Sequence, residues 1–144
     1  MYDFGGGTFD LTILTMESIG ATTMYTVVTT DGDPSLGGHD IDTALVEHFT
    51  DAIEKECGIS GLRAEKKIMN KLRDACETLK KNLTLSEKQA FSFFGGKGVF
   101  LEDREVTRED FNHICAPIFE RTMDCVKRAC ERALKNGGID ECMS

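Results

Sequence analysis

No stretch of this chain is apolar for long enough to span a membrane, and no secretory signal is visible. There is no CxxC pair. The three histidines and six cysteines match no known zinc-ligand spacing, which argues against a structural zinc site. The cysteines are Cys57, Cys76, Cys115, Cys125, Cys130 and Cys142, and most fall within apolar helical patterns rather than in a small disulfide scaffold. They are read as reduced, partly buried thiols of a cytoplasmic protein. Basic residues are scarce: 17 Lys and Arg stand against 25 Asp and Glu, for a formal net charge of −8. That deficit argues against nucleic acid or an anionic membrane as a partner. It does not argue against a phosphate ligand, which needs a local cluster of donors and not a basic protein. With two prolines, no internal repeat and no low-complexity run, nothing in the composition marks a linker.

What is present is a chain of 144 residues, 40% hydrophobic and 29% charged, enough for a real core. It is organised around Asp3-Phe4-Gly5-Gly6-Gly7-Thr8-Phe9-Asp10. Three glycines in a row let the main chain approach a ligand closely, and consecutive N–H groups around such a turn form an anion-binding concavity. Thr8 adds a hydroxyl. Asp3 and Asp10 add carboxylates that could hold a hydrated Mg²⁺ or orient a water. The plain alternative is a hairpin turn with no chemistry. No Gly-Lys-Ser/Thr follows, so this is not a Walker-type loop. Phe9, Leu11 and Ile13 alternate with Asp10 and Thr12, which predicts strand–turn–strand.

Further along, Met1 to Met16 reads as two strands around the turn, and Met24 to Thr30 as a third. Asp31-Gly32-Asp33-Pro34-Ser35 reads as a loop. Gly37-Gly38 precedes a helix with Ile41, Leu45, Phe49 and Ile53 on one stripe, ending near Gly58. Free N–H groups at that helix start suit a phosphate or ribose, while the plain alternative is a loop turn. A second helix runs from about Ala64 to Leu83, with Ile68, Leu72, Ala75, Cys76, Leu79 and Leu83 buried. Its Glu77, Lys80, Lys81 and Thr84 fall largely on one polar side. That is either a binding face or a solvated one with Glu77–Lys80 and Glu77–Lys81 pairs. Ala90 to Phe94 and Val99 to Val106 read as a hairpin around Gly95-Gly96-Lys97-Gly98, with Phe91, Phe93 and Phe100 packing it on the helices. Thr107 reads as the N-cap of a last helix, which Pro117 should kink or divide and Asn136-Gly137-Gly138 should stop before a short tail from Ile139 to Ser144.

The glycine turn, Leu36-Gly37-Gly38-His39-Asp40-Ile41-Asp42, and the segment from Leu72 to Thr84 together resemble the nucleotide-binding domain of the seventy-kilodalton heat-shock chaperones. The likeness runs along nearly the whole chain. It implies an α/β fold: an actin-like ATPase lobe fragment with a mixed sheet, two long helices, a small antiparallel sheet and a C-terminal helix. It also implies a division into a partial base subdomain with the phosphate hairpin (1–35), a cap subdomain (36–106) and a helical part returning to the base (107–144).

By the same resemblance the ligands are ATP or ADP with Mg²⁺. Asp3, Thr8 and Asp10 would be the catalytic group, with Asp3 and Asp10 holding the metal through water. Gly5, Gly6, Gly7 and Thr8 would hold phosphates beside Gly37 and Gly38. Glu77 would take ribose hydroxyls, Lys80 would approach the ribose and phosphates, Lys81 would lie over the adenine, and Thr84 would approach the base edge. Two positions depart from the family pattern: His39, usually acidic, which would face water or sense pH, and Lys81, usually arginine, whose loss weakens stacking. The implied partners are nucleotide-exchange factors, J-domain co-chaperones, and unfolded polypeptide clients bound through a domain absent here. The parent would be an ATP hydrolase.

Asp3 follows Met1-Tyr2 too closely for a full strand to feed the turn, so more chain is expected before it. The opposite lobe, with its second phosphate hairpin and catalytic lysine, has no counterpart, so this chain alone should be inactive, and its strand edge should be open to a second copy. The alternative in a different class is a non-catalytic relative that binds nucleotide as a latch and serves as a partner-binding module. An actin-like or sugar-kinase relative is disfavoured by the Leu72 to Thr84 segment.

Overall fold

The computed structural model describes residues 1–136; Cys142, the Gly137-Gly138 stop and the tail from Ile139 lie outside them. Among the described residues there are five strands and three helices: β1 (Tyr2–Phe4), β2 (Phe9–Ile19), β3 (Thr22–Asp33), α1 (Gly38–Cys57), α2 (Lys66–Leu83), β4 (Lys88–Gly96), β5 (Val99–Thr107) and α3 (Arg108–Lys135). A single 3₁₀ turn at Leu62–Ala64 precedes α2. This is the expected α/β class; the larger sheet, expected to be mixed, is antiparallel throughout among the described residues. The described residues divide into two compact units, 1–39 with 117–136, and 40–116.

In the first unit the sheet order is β1-β2-β3, antiparallel throughout. Alternation puts Phe9 and Leu11 on the buried face and Asp10 on the exposed one. Tyr2 and Phe4 close over Phe9, with ring centroids 4.6 and 6.2 Å away. From α3 the unit buries Ile118, Thr122, Cys125, Ala129 and Ala133. Met123, expected in this stripe, is instead half exposed, and Thr122 and Cys125 are buried in its place. The buried Thr122 hydroxyl is satisfied by donating to the Phe119 carbonyl at 2.7 Å. The far half of the β2–β3 hairpin exposes Met16, Ile19, Met24, Tyr25 and Val27.

The segment expected to be a loop at 31–33 is strand. Asp31, Gly32 and Asp33 pair with Leu11, Asp10 and Phe9. Turn-forming residues become strand here because their carboxylates are satisfied from α3. Arg128 donates to Asp31 at 2.8 Å, Arg132 donates to it as well, and Arg121 donates to Asp33 at 2.6 Å. The Asp31 side chain is only 6% exposed, so its charge needs those partners. The expected division at Pro117 is also overturned: α3 is one helix from Arg108 to Lys135 with Pro117 inside it.

The second unit packs α1, α2 and the β4–β5 hairpin around Leu45, Val46, Phe49, Ile53, Leu72, Cys76, Leu79, Phe91, Phe93 and Leu101. Phe49 stacks on Phe91 with centroids 4.1 Å apart, and removing either ring should cost about 3–5 kcal/mol. Phe100 does not join them. It is 39% exposed, because Val99 and Leu101 take the inward positions and strand alternation turns Phe100 out. Arg63 fastens the 3₁₀ turn to α1 by donating to Glu47 and Asp51 at 2.6 and 2.8 Å. Thr107 caps α3 as expected. Its hydroxyl accepts from the Asp110 N–H at 3.1 Å, while its own N–H donates to the Asp110 carboxylate at 2.9 Å.

The Asp31 lock makes a testable statement about acid. The Arg128 hydrogen bond, helped by the Gly32 N–H against the cost of burial, holds the Asp31 carboxyl at about 2, below its ordinary 3.8. A depressed carboxyl stabilises the fold fully above the unfolded value and loses that contribution as pH falls through the folded one. Urea unfolding should therefore show Asp31→Asn well below the parent chain at neutral pH, with the gap closing between pH 3.8 and about 2. A gap that stays constant across that window would show that the arginines do not act on this carboxylate.

Candidate functional site

In the first unit the glycine turn is held by the start of α1. The Gly5 carbonyl accepts the Gly38 N–H at 2.9 Å, and the Gly6 carbonyl accepts the His39 N–H at 2.9 Å. The turn closes on itself through Gly5 N–H to Thr8 carbonyl at 2.9 Å. Gly37 lies against the Gly6–Gly7 peptide so closely that a Cβ there would sit 2.5 Å from Gly7 N and 2.7 Å from the Gly6 carbonyl oxygen. Only glycine permits that approach.

The Gly38 and His39 N–H groups are thus engaged by the turn. The donor that stays open is on the turn itself. Among the described residues the Gly7 N–H donates to no backbone group, and a Cβ at Gly7 would meet nothing within 4 Å. Gly6, Gly7 and Thr8 are all exposed. Free N–H groups, open space and a neighbouring hydroxyl suit the oxygens of a phosphate chain.

Asp3 and Asp10 are direct cross-strand partners, so both carboxylates leave the same face of the sheet. Like charges placed opposite each other are destabilising unless a cation offsets them. Two carboxylates with phosphate oxygens and waters are the donor set that Mg²⁺ takes. Thr8 and Asp10 also line a crevice of about 360 Å³ with Thr12, Thr30, Gly32 and Pro34. Gly32 is what lets β3 pass here, because a Cβ would strike the Phe9 carbonyl at 2.4 Å. Sequence reasoning missed Gly32. Its signal was the position directly across the sheet from Asp10, hidden while 31–35 was read as a loop.

In the second unit α2 places Glu77, Lys80, Lys81 and Thr84 over its last two turns. Glu77 and Lys81 pair at 2.7 Å, and that pairing raises the Lys81 ammonium above its ordinary value. Lys80 does not pair with Glu77 as the solvated-face reading had it. It donates to Asp42 of α1 at 2.5 Å, with both side chains largely buried. Asp42 was not foreseen as a partner. Thr84 turns its hydroxyl to the Lys81 carbonyl at 2.6 Å. Arg108 donates to the Leu83 and Thr84 carbonyls at 2.7 and 3.0 Å and so closes the end of α2. A wider crevice in this unit, about 730 Å³, is lined by His48, Phe49, Leu101, Arg104, Asp110 and His113 among others, and contains none of the expected nucleotide residues. Size alone therefore does not mark the chemistry.

Gly37→Ala should break the support of the turn without touching Asp3, Thr8 or Asp10. Amide spectra should then shift across Gly5–Thr8 and the melting temperature should fall. A variant with unchanged turn shifts would contradict the close approach described above.

The family model described as Hsp70 protein matches residues 1–143. The chain is 34% identical over 140 residues to the chaperone protein HscA of Escherichia coli O139:H28, covering 97% of this chain and 20% of that protein. It is 35% identical over 138 residues to the heat shock cognate HSP70 protein of Trypanosoma brucei brucei, covering 92% and 19%. It is 31% identical over 144 residues to the putative heat shock 70 kDa protein 7 of Homo sapiens, covering 98% and 36%. The chain thus spans between a fifth and about a third of the length of these relatives. With the family model matching residues 1–143, the chain belongs to the Hsp70 family.

Proposed function

We propose that this chain contributes nucleotide recognition to a chaperone ATPase, in which ATP hydrolysis drives binding and release of unfolded polypeptide. The observation that carries this is the glycine turn: its carbonyls are tied back to α1 while the Gly7 N–H stays open beside Thr8, Asp3 and Asp10. In this reading Gly6 and Gly7 donate N–H groups to phosphate oxygens and Thr8 adds its hydroxyl. The Asp10 carboxylate orients the attacking water and accepts its proton. Asp3 faces Asp10 and shares with it the shell of a hydrated cation. A bound Mg²⁺ supplies charge neutralisation on the phosphates. The first unit takes the part of the base subdomain and the second that of the cap.

On α2, Glu77 offers its carboxylate to ribose hydroxyls, and Lys81 lays its stem along the base. Both must loosen their mutual pair to do so. Lys80 is held by Asp42 and so acts near the ribose from a fixed position. Exchange factors and J-domain co-chaperones are the proposed partners, and polypeptide clients the proposed substrates of the whole protein.

Phosphoryl transfer needs stabilisation from several directions. This chain by itself should therefore bind Mg-ADP weakly, on the order of mM, since few contacts offset the cost of immobilising the ligand. Phosphate release by the purified chain should not exceed that of its Asp3→Ala variant. In a protein of the relatives' full length, Asp10→Asn should slow single-turnover hydrolysis at least ~10-fold. Unchanged turnover there would remove Asp10 from the chemistry. Turnover by this chain above its control would overturn the view that it holds only part of the machinery.

A further inference from the structure

The polar groups of the glycine turn are sorted by direction, and His39 has a part in sorting them. Across a trans peptide the carbonyl and the following N–H point opposite ways, and no cis bond occurs among the described residues. The Gly5 and Gly6 carbonyls both face the start of α1, where Gly38 and His39 donate to them. The N–H groups of Gly6 and Gly7, in those same two peptide units, are therefore turned away from the helix. The Gly6 carbonyl also has a second donor, the imidazole Nδ1 of His39. A carbonyl only accepts, so Nδ1 carries the proton in this contact. The ring lies over the turn as well: a Cβ at Gly6 would meet its Cε1 at 3.4 Å and its Nδ1 at 3.6 Å. One residue thus holds the Gly6–Gly7 peptide with its backbone and its side chain together, and both lone pairs of that carbonyl are engaged.

We propose that His39 is a positioning residue that locks the Gly6–Gly7 peptide unit with its N–H turned outward, presenting Gly7 as a pre-set donor to a phosphate oxygen. The choice of phosphate as ligand rests on the nucleotide reading above; the lock does not. The chemistry is specific to a side chain with a proton to give. A carboxylate at this position would have none and would repel the Gly6 carbonyl, and an alanine would leave only the backbone bond. Freed of the ring, the peptide can rotate, and its N–H must then be reordered each time a phosphate binds. The effect should accordingly appear for ligands with phosphates and be missing for adenosine.

The test uses the ¹⁵N-labelled full chain. Imidazole ¹⁵N shifts at mildly alkaline pH should report the Nδ1–H tautomer for His39. Order parameters at Gly6 and Gly7 should fall in His39→Asp and His39→Ala, and be restored in His39→Asn, whose Nδ2–H can reach the same carbonyl. Mg-ADP affinity should drop about 5-fold in His39→Asp, the size of one net hydrogen bond, with adenosine affinity unchanged. The Nε2–H tautomer, or an Asp variant with the parent's order and ADP affinity, would overturn the proposal. If an Asp variant does not fold, the tautomer in the parent chain decides. If the tautomer and order are as expected but Mg-ADP leaves the Gly7 amide unmoved, the nucleotide reading fails and the lock stands.

Discussion

Two hydrogen bonds from the first turn of α1 set the shape of the glycine turn. Gly38 and His39 each give a backbone N–H to a carbonyl of that turn, at 2.9 Å. These donors would otherwise be unsatisfied at the helix start. The turn's carbonyls would otherwise scatter in direction, since three glycines hold no preferred conformation. Each element thus supplies what the other lacks. The arrangement needs Gly37 as well, because any side chain there would push the turn off the helix. Two glycine motifs thirty residues apart in sequence are in this sense one structural device.

Around that device the first unit is braced by charge. Asp31 is nearly buried at the base of β3 and survives there because Arg128 and Arg132 reach it from α3. Asp33 is held by Arg121, about two turns before Arg128 in the helix, and by the Ser35 N–H at 2.9 Å. These pairs keep β3 in register against β2, and that register puts Gly32 across from Asp10. A structural ion pair and a catalytic candidate are thereby linked by one strand. The second unit uses ordinary packing instead, with the Phe49–Phe91 stack at its centre.

Much of this was legible in the sequence. The alternation of Phe9, Leu11 and Ile13, the stripe of α1 and the Thr107 cap are local patterns, and local patterns survive folding. The turn chemistry of Asp31-Gly32-Asp33 misled because its decisive partners sit about ninety positions away on α3, beyond any window of periodicity. The division expected at Pro117 does not occur: its cost is local, while the flanking turns bury Cys115, Ile118 and Thr122, and the helix continues. The use of the Gly38 N–H by the Gly5 carbonyl was not legible, because that partner sits more than thirty positions away. The pairing of Lys80 with Asp42 joins two helices and so leaves no i,i+4 signature. His39 is the clearest case: its identity was noticed, but its partner is a carbonyl, and a carbonyl has no letter in the sequence.

On the proposed reading, the open side of the glycine turn receives phosphate. The most direct measurement is a map of amide shifts as the labelled chain is titrated with Mg-ADP and, separately, with adenosine. Mg-ADP should move Gly6, Gly7 and Thr8, while adenosine should leave those three in place and move only residues near Glu77 to Thr84. Shifts from Mg-ADP that spare the turn, or that gather instead around His48 and His113, would contradict it.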